Sequence, residues 1–187
     1  QVVYHGTAHD IEQFTNVVIW FTPDTGTAKT YADRAAYVGL EIDEEVNVDE
    51  VPASKIRAAV QGGAGQTIYP VYLRLEHPLD LSELGHTPEP QEVFRHLQSL
   101  GFAKGQEFAD WENDLTRDQP TLWKMIEDWG LHRDFQTHGY DGFIIDDVAT
   151  TGAGHVAYAV FNPMQVKSAL HNSGAFSPED PRIFYQS

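Results

Sequence analysis

The spacing of apolar positions changes several times along the chain, and each change marks an element. Residues 1–6 begin with Val2, Val3 and Tyr4 and predict a short strand. Thr7-Ala8-His9-Asp10 then leads into a turn or short helix containing Ile11 and Phe14. Val17-Val18-Ile19-Trp20-Phe21 is β-branched and aromatic, the composition of a strand, and Thr22-Pro23-Asp24-Thr25-Gly26 breaks it. From Thr27 to Leu40, the residues Ala28, Tyr31, Ala32, Ala35 and Val38 recur every three or four positions, which predicts a helix. Tyr69 to Leu75 alternates as a strand, and His77-Pro78 ends it.

Residues 88–137 carry a helical pattern. Thr87-Pro88-Glu89-Pro90 is a helix start with proline in the first turn. Val93, Phe94, Leu97 and Leu100 follow, and Gly101 ends the segment. A second piece holds Phe108, Trp111 and Leu115. A third runs from Thr121 to Trp129, with Leu122, Met125, Ile126 and Trp129 on one face. Trp111, Trp123 and Trp129 read as core anchors of this insert; a base-stacking platform is the alternative, and the acidic neighbours argue against it.

Gly139-Tyr140-Asp141-Gly142 is a turn and Phe143-Ile144-Ile145 a buried strand. Asp146 to Gly154 reads as a polar loop, Val156 to Phe161 as another strand closed by Asn162-Pro163, and Gln165 to Leu170 as a turn or short helix before an irregular tail. The count is five or six short strands with helices between and inserted. That predicts a single α+β domain over residues 1–187, with strands too short and irregularly ordered for a doubly wound sheet.

Composition narrows the class. The chain has 187 residues, enough for one well-buried domain. It holds 28 acidic against 12 basic residues, a formal charge of −16, which disfavours a broad nucleic-acid footprint. No cysteine is present, which excludes disulfides, thiolate metal sites and a cysteine nucleophile. The longest apolar run is far too short to span a bilayer. The abrupt start in a strand pattern, without an initiator Met or a basic leader, leads to the expectation of a module of something longer. Residues 41–67 combine an acidic run with Gln61-Gly62-Gly63-Ala64-Gly65 and read as a solvated excursion with a flexible tip.

Few residues suggest chemistry unaided. Tyr4-His5-Gly6-Thr7 sets a histidine at a strand end, followed by a glycine whose backbone a planar amide could approach and by a hydroxyl. An ordinary strand-end histidine with a turn glycine is the alternative. Tyr31 lies on a helix after a strand and a polar turn, or is simply a core aromatic. No phosphate-binding loop, dinucleotide fingerprint or nucleophile elbow is present. The nine histidines lack zinc spacing, and Asp141, Asp146 and Asp147 read as solvated carboxylates rather than a cation site, so no metal is expected.

Taken together, these pieces resemble the ADP-ribosyltransferase superfamily of the His-Tyr-Glu type, in the branch found in phage polyvalent proteins and polymorphic toxins. Val3-Tyr4-His5-Gly6-Thr7 is similar to the first block of the diphtheria-like toxins. Trp20-Phe21-Thr22 through Ala28 to Tyr31-Ala32 is similar to the strand and helix that hold nicotinamide in poly(ADP-ribose) polymerases. Tyr158 to Ala169, then Asn172 to Phe176 and Asp180 to Ile183, resemble the tail of the phage and toxin branch, and Gly139 to Ile144 also fits. The matched blocks lie at both ends of the chain. Residues 41–67 and 86–137 have no recognised counterpart, which makes 86–137 a helical insertion.

The resemblance implies a split, mostly antiparallel sheet core around an NAD slot, with NAD as substrate and no metal. It gives His5 a ribose hydroxyl, Gly6 the carboxamide, Thr7 a ribose or phosphate contact, Tyr31 the nicotinamide face, and Trp20 or Phe21 another wall. The family's glutamate, which stabilises the charge developing on the nicotinamide ribose and can take the acceptor's proton, falls at Ala157. Three explanations compete: an engineered Glu→Ala change, a naturally inactive binding domain, or a carboxylate supplied by Asp146, Asp147 or Glu179. The first, an inactive variant, is the expectation. Gln165 reads as structural, and Lys167 and Ser168 as fixing a turn.

The loop before Ala157 corresponds to the segment that faces the acceptor, which gives Thr150, Thr151 and His155 acceptor-side positions. The implied activity is transfer of ADP-ribose to a macromolecular acceptor, protein rather than nucleic acid by the charge. The rivals are NAD glycohydrolysis and a non-catalytic NAD or ADP-ribose binding module. The resemblance further implies an effector, secreted or injected into a target-cell cytoplasm, or else cytoplasmic, with an immunity protein as a partner and no membrane. Oligomeric state cannot be read from the sequence.

Overall fold

A computed structural model describes residues 1–40, 67–112, 121–148, 154–170 and 179–183. Seven strands among these residues form two sheets. Strands β1 (Val2–Thr7), β3 (Thr67–Leu73) and β7 (Val166–Ser168) make one, in the order β1-β3-β7. Strands β2 (Ile19–Phe21), β6 (Gly154–Val160), β5 (Gly142–Val148) and β4 (Pro78–Asp80) make the other, in that order. Every pairing is antiparallel except β4 with β5. A backbone bridge between Tyr4 and Thr22 joins the sheets, with bonds of 2.8 and 3.0 Å. The fold is the expected α+β split sheet.

Helix α1 (Thr25–Leu40) opens with the Asp24 carboxylate accepting the Thr27 N–H at 2.6 Å. That bond holds the Asp24 carboxyl below its ordinary range. Ala28 and Ala32 face β1 at Gly6. A Cβ on Gly6 would lie 1.8 Å from the Ala28 carbonyl oxygen, so the strand and helix touch at this one position because no side chain intervenes. On the other face of the first sheet, Val3, Val71 and Val166 pack with Phe14, Ile19, Phe21, Val160 and Ile183.

The insert contributes four helices among the described residues: α2 (Pro90–Ser99), α3 (Phe108–Glu112), α4 (Leu122–Asp128) and α5 (Leu131–Thr137). Glu89 and Glu92 form a reciprocal cap on α2. Val93, Leu97, Leu122, Met125, Ile126 and Phe135 cover the second sheet's face at Phe143, Ile145, Ala157 and Ala159. Trp111, Trp123 and Trp129 pack on this core, each keeping part of its surface exposed.

Several local expectations need correction. The segment around Ile11 and Phe14 forms no helix; the Tyr69 hydroxyl accepts the Ile11 N–H at 2.8 Å and holds it as an irregular crossing. The strand expected to end by His77-Pro78 stops at Leu73, and Pro78 itself starts a further strand, β4, where its missing N–H is harmless on an edge. Asp146 to Val148 continue β5 rather than entering a loop. Val166 to Ser168 form β7 rather than a turn or helix, pairing with β3. Gly130 in the left-handed region (φ 70°) separates α4 from α5, a helix the sequence pattern did not single out. The readings on residues 41–66 and at Leu115 lie outside the described residues.

Candidate active site

A cleft of about 1010 Å³ opens between the two sheets, α1 and the insert, at the upper end of the size range of small-molecule sites. His5, Gly6, Trp20, Phe21, Tyr31, His155 and Ala157 all line it. Residues from both ends of the chain therefore meet on one surface. Thr7 stands apart: it is buried, and its Oγ1 accepts the His9 N–H at 3.2 Å. Thr150 and Thr151 lie outside the described residues.

His5 is fixed in orientation and charge. Its Nδ1 lies 2.8 Å from the Trp20 carbonyl oxygen, which can only accept, so Nδ1 carries the proton. Burial pushes the imidazole below its ordinary pKa, against the opposing pull of that same bond. Phe14 and Phe21 crowd the ring, with centroids 4.9 and 5.6 Å away. In this neutral tautomer Nε2 is an acceptor, suited to a ligand hydroxyl.

Gly6 has its backbone turned to the same side. The N–H and C=O of Tyr4 pair with Thr22, on the edge of β1 away from β3. Strand parity puts the N–H and C=O of Gly6, two residues on, along that same edge. The absent side chain serves the approach of α1, rather than that of a ligand as the sequence suggested. The backbone edge is what faces outward.

Tyr31 projects from α1 into the cleft, and its hydroxyl donates to Asp147 Oδ2 at 3.3 Å. Its ring meets that of His155 edge-on at 6.3 Å. Asp147 sits opposite His155 in the β5–β6 pairing, and Ile145 opposite Ala157. Asp147, His155 and Ala157 therefore share one sheet face. Asp146 is exposed on the other face, and Glu179 is exposed on the far tail.

Several cleft residues were not found from sequence. Arg34, one turn beyond Tyr31 on α1 and 4 % exposed, lines the cleft. Its three-residue spacing from Tyr31 was the available signal. The insert supplies Trp123, Glu127, His132 and Arg133. Trp123 and Glu127 are one helical turn apart, but only the packing of α4 shows that this turn faces the cleft. The Glu127 carboxylate accepts the indole N–H of Trp20.

Other candidates have structural partners. Asp141 accepts the N–H groups of Glu76 and His77 at 2.6 and 3.0 Å, which fixes the corner before β4. Gln165 donates to the carbonyls of Arg74 and Asp141 at 3.0 and 2.8 Å. Lys167 is fully buried and donates to the carbonyls of Asp180 and Arg182 at 2.6 and 2.8 Å.

A comparison with protein-family models matches residues 1–176 to the family described as ADP-ribosyltransferase in polyvalent proteins. Comparisons with curated proteins and with solved structures find no match.

Proposed function

Since the chain belongs to the ADP-ribosyltransferase family of polyvalent proteins, whose substrate is NAD, we propose that its cleft binds NAD and transfers ADP-ribose to a macromolecular acceptor, releasing nicotinamide. The observation that carries this reading is the convergence of His5, Gly6, Tyr31 and position 157 on one cleft. Nε2 of His5 accepts a ribose hydroxyl. The outward N–H and C=O of Gly6 pair with the carboxamide. Tyr31 covers the nicotinamide ring, an apolar, water-excluding contact. Arg34 brings positive charge to the wall along which a dinucleotide's two phosphates run, inside an otherwise acidic chain.

The acceptor approaches past His155 and the insert wall. A protein acceptor fits the net charge of −16 better than a nucleic acid does. In this reading the chain is an effector domain of its polyvalent-protein relatives' kind. Ala157 leaves the family's charge-stabilising position without a carboxylate, so the chain holds NAD without turning it over unless another group serves.

The test is a paired assay of this chain and Ala157→Glu with labelled NAD and a cell lysate. Label appearing on a lysate component supports transfer. Free ADP-ribose alone would convert the reading to NAD glycohydrolysis. NAD binding without turnover by either protein would leave a binding module, and no binding by either would sink the reading.

A further inference from the structure

Asp147 is the one carboxylate among the described residues that shares a sheet face with Ala157 and opens on the same cleft. The register makes the two diagonal neighbours on β5 and β6, with Cβ atoms roughly 7 Å apart. A glutamate at 157 and the aspartate at 147 would thus reach into one common space. Asp147 is 9 % exposed, so its charge acts in a dry setting where electrostatic effects are strong. Its Oδ1 accepts the Val148 N–H at 2.8 Å, which fixes the rotamer. Its Oδ2 accepts the Tyr31 hydroxyl at 3.3 Å, longer than an ordinary hydroxyl bond, which points this oxygen to the Tyr31 side of the cleft. Across from it, His155 Nδ1 is buried and meets no hydrogen-bond partner among the described residues.

We propose that Asp147 is the charge-stabilising carboxylate of this chain, serving where position 157 lacks one. This rests on the NAD reading above. In the step, the bond from C1′ of the nicotinamide ribose to the pyridinium nitrogen breaks, and its electron pair stays with nicotinamide, which leaves neutral. Positive charge spreads over C1′ and the ring oxygen. Asp147 faces that charge while accepting the 2′-hydroxyl. The acceptor's X–H then forms the C1′–X bond and loses its proton to His155, which passes it to solvent. Glu127 also lines the cleft, but it comes from the insert and its carboxylate is held by the Trp20 indole.

The test uses the unaltered chain, Asp147→Asn, Asp147→Glu, Asp146→Asn and Ala157→Glu. Nicotinamide release is measured beside NAD affinity by calorimetry, and folding is checked by circular dichroism. The expected result is turnover by the unaltered chain, unchanged by Asp146→Asn. Asp147→Asn lowers kcat about 100-fold or more while the NAD Kd stays within roughly threefold. Asp147→Glu, which keeps the charge, retains more turnover than Asp147→Asn and covers the case in which the amide variant fails to fold. Equal turnover by the unaltered chain and Asp147→Asn would overturn the proposal. So would an inert chain that binds NAD and gains turnover only on Ala157→Glu, an outcome that leaves the NAD reading standing. Absence of NAD binding in every protein would instead remove that reading, and the proposal with it.

Discussion

The indole N–H of Trp20 donates to the carboxylate of Glu127 and so ties β2 to α4 across 107 residues of sequence. Trp20 also lies edge-on to Phe143, with centroids 5.1 Å apart. The insert is thereby latched to the sheet at the cleft wall. Trp20→Phe keeps one aromatic ring and removes the pyrrole half of the indole with its donor. We expect it to cost about 1.5 kcal/mol, the low end for a hydrogen bond to a charged group that is only half buried. Urea unfolding followed by circular dichroism measures this, and a cost below a few tenths would show that the latch contributes nothing.

His5 gives the cleft a pH dependence with a definite sign. Its folded pKa lies below the ordinary 6.5 because burial disfavours the charged ring. The neutral form therefore prevails at pH 7, and the associated stability is complete above 6.5. As pH falls from 6.5 through the folded value, the unfolded chain takes up the proton first and stability declines. In the folded chain Nε2 stops being an acceptor only as pH reaches that lowered value. Calorimetric titrations at stepped pH should show NAD affinity holding through 6.5 and falling only at lower pH, and His5→Ala should abolish that dependence.

Gly6→Ala should be among the most damaging single changes. The added methyl would meet the Ala28 carbonyl at 1.8 Å and the Ala32 nitrogen at 2.9 Å, both backbone atoms of a helix. Nothing there can rotate away. A loss of about 3 kcal/mol, the upper part of the overpacking range, is expected in chemical denaturation. Gly142→Ala meets the Ala159 oxygen at 2.2 Å and should behave similarly.

Lys167 holds the segment from Asp180 to Ile183. Beyond its two bonds to carbonyls, the Ser168 N–H donates to the Ile183 carbonyl at 2.8 Å, and the Ile183 N–H to that of Glu12 at 3.0 Å. Lys167→Met should speed hydrogen exchange at the Ser168 and Ile183 amides while leaving β5 and β6 protected. Acid should loosen the same segment. The Arg182 side chain, with its backbone N–H, pulls the Asp180 carboxyl down to about 2. The stabilisation is therefore present above about pH 4 and is lost as pH falls towards 2.

What the sequence made legible follows from how local each signal is. The helix carrying Tyr31 was readable because Ala28, Tyr31, Ala32 and Ala35 repeat at helical spacing. Strands β1, β5 and β6 were readable from β-branched and aromatic runs. The continuation of β5 through Asp146-Asp147-Val148 was not. Two adjacent aspartates look like a loop, and only the cleft explains why one of them turns inward. β4 and β7 were missed because neither lies in a β-branched and aromatic run, as the equally short β2 does, and β7 is buried at every position rather than alternately. The ends of the cleft wall were likewise hidden. Trp123 reads as an ordinary core tryptophan until the insert is packed, and Arg34 was not singled out at all.

The Tyr4–Thr22 bridge has one more consequence. It is a single isolated bridge, and Gly6 is the next β1 residue whose peptide groups point the same way. The cleft thus begins as an unfinished sheet edge, with one rung of N–H and C=O exposed. A planar amide entering the cleft would occupy that rung as a further residue of a neighbouring strand would. On the proposed reading, in which Gly6 receives the carboxamide, selection at the strand end falls on amide shape. A nicotinate carboxylate, with no N–H to offer the Gly6 carbonyl, would fail where nicotinamide succeeds.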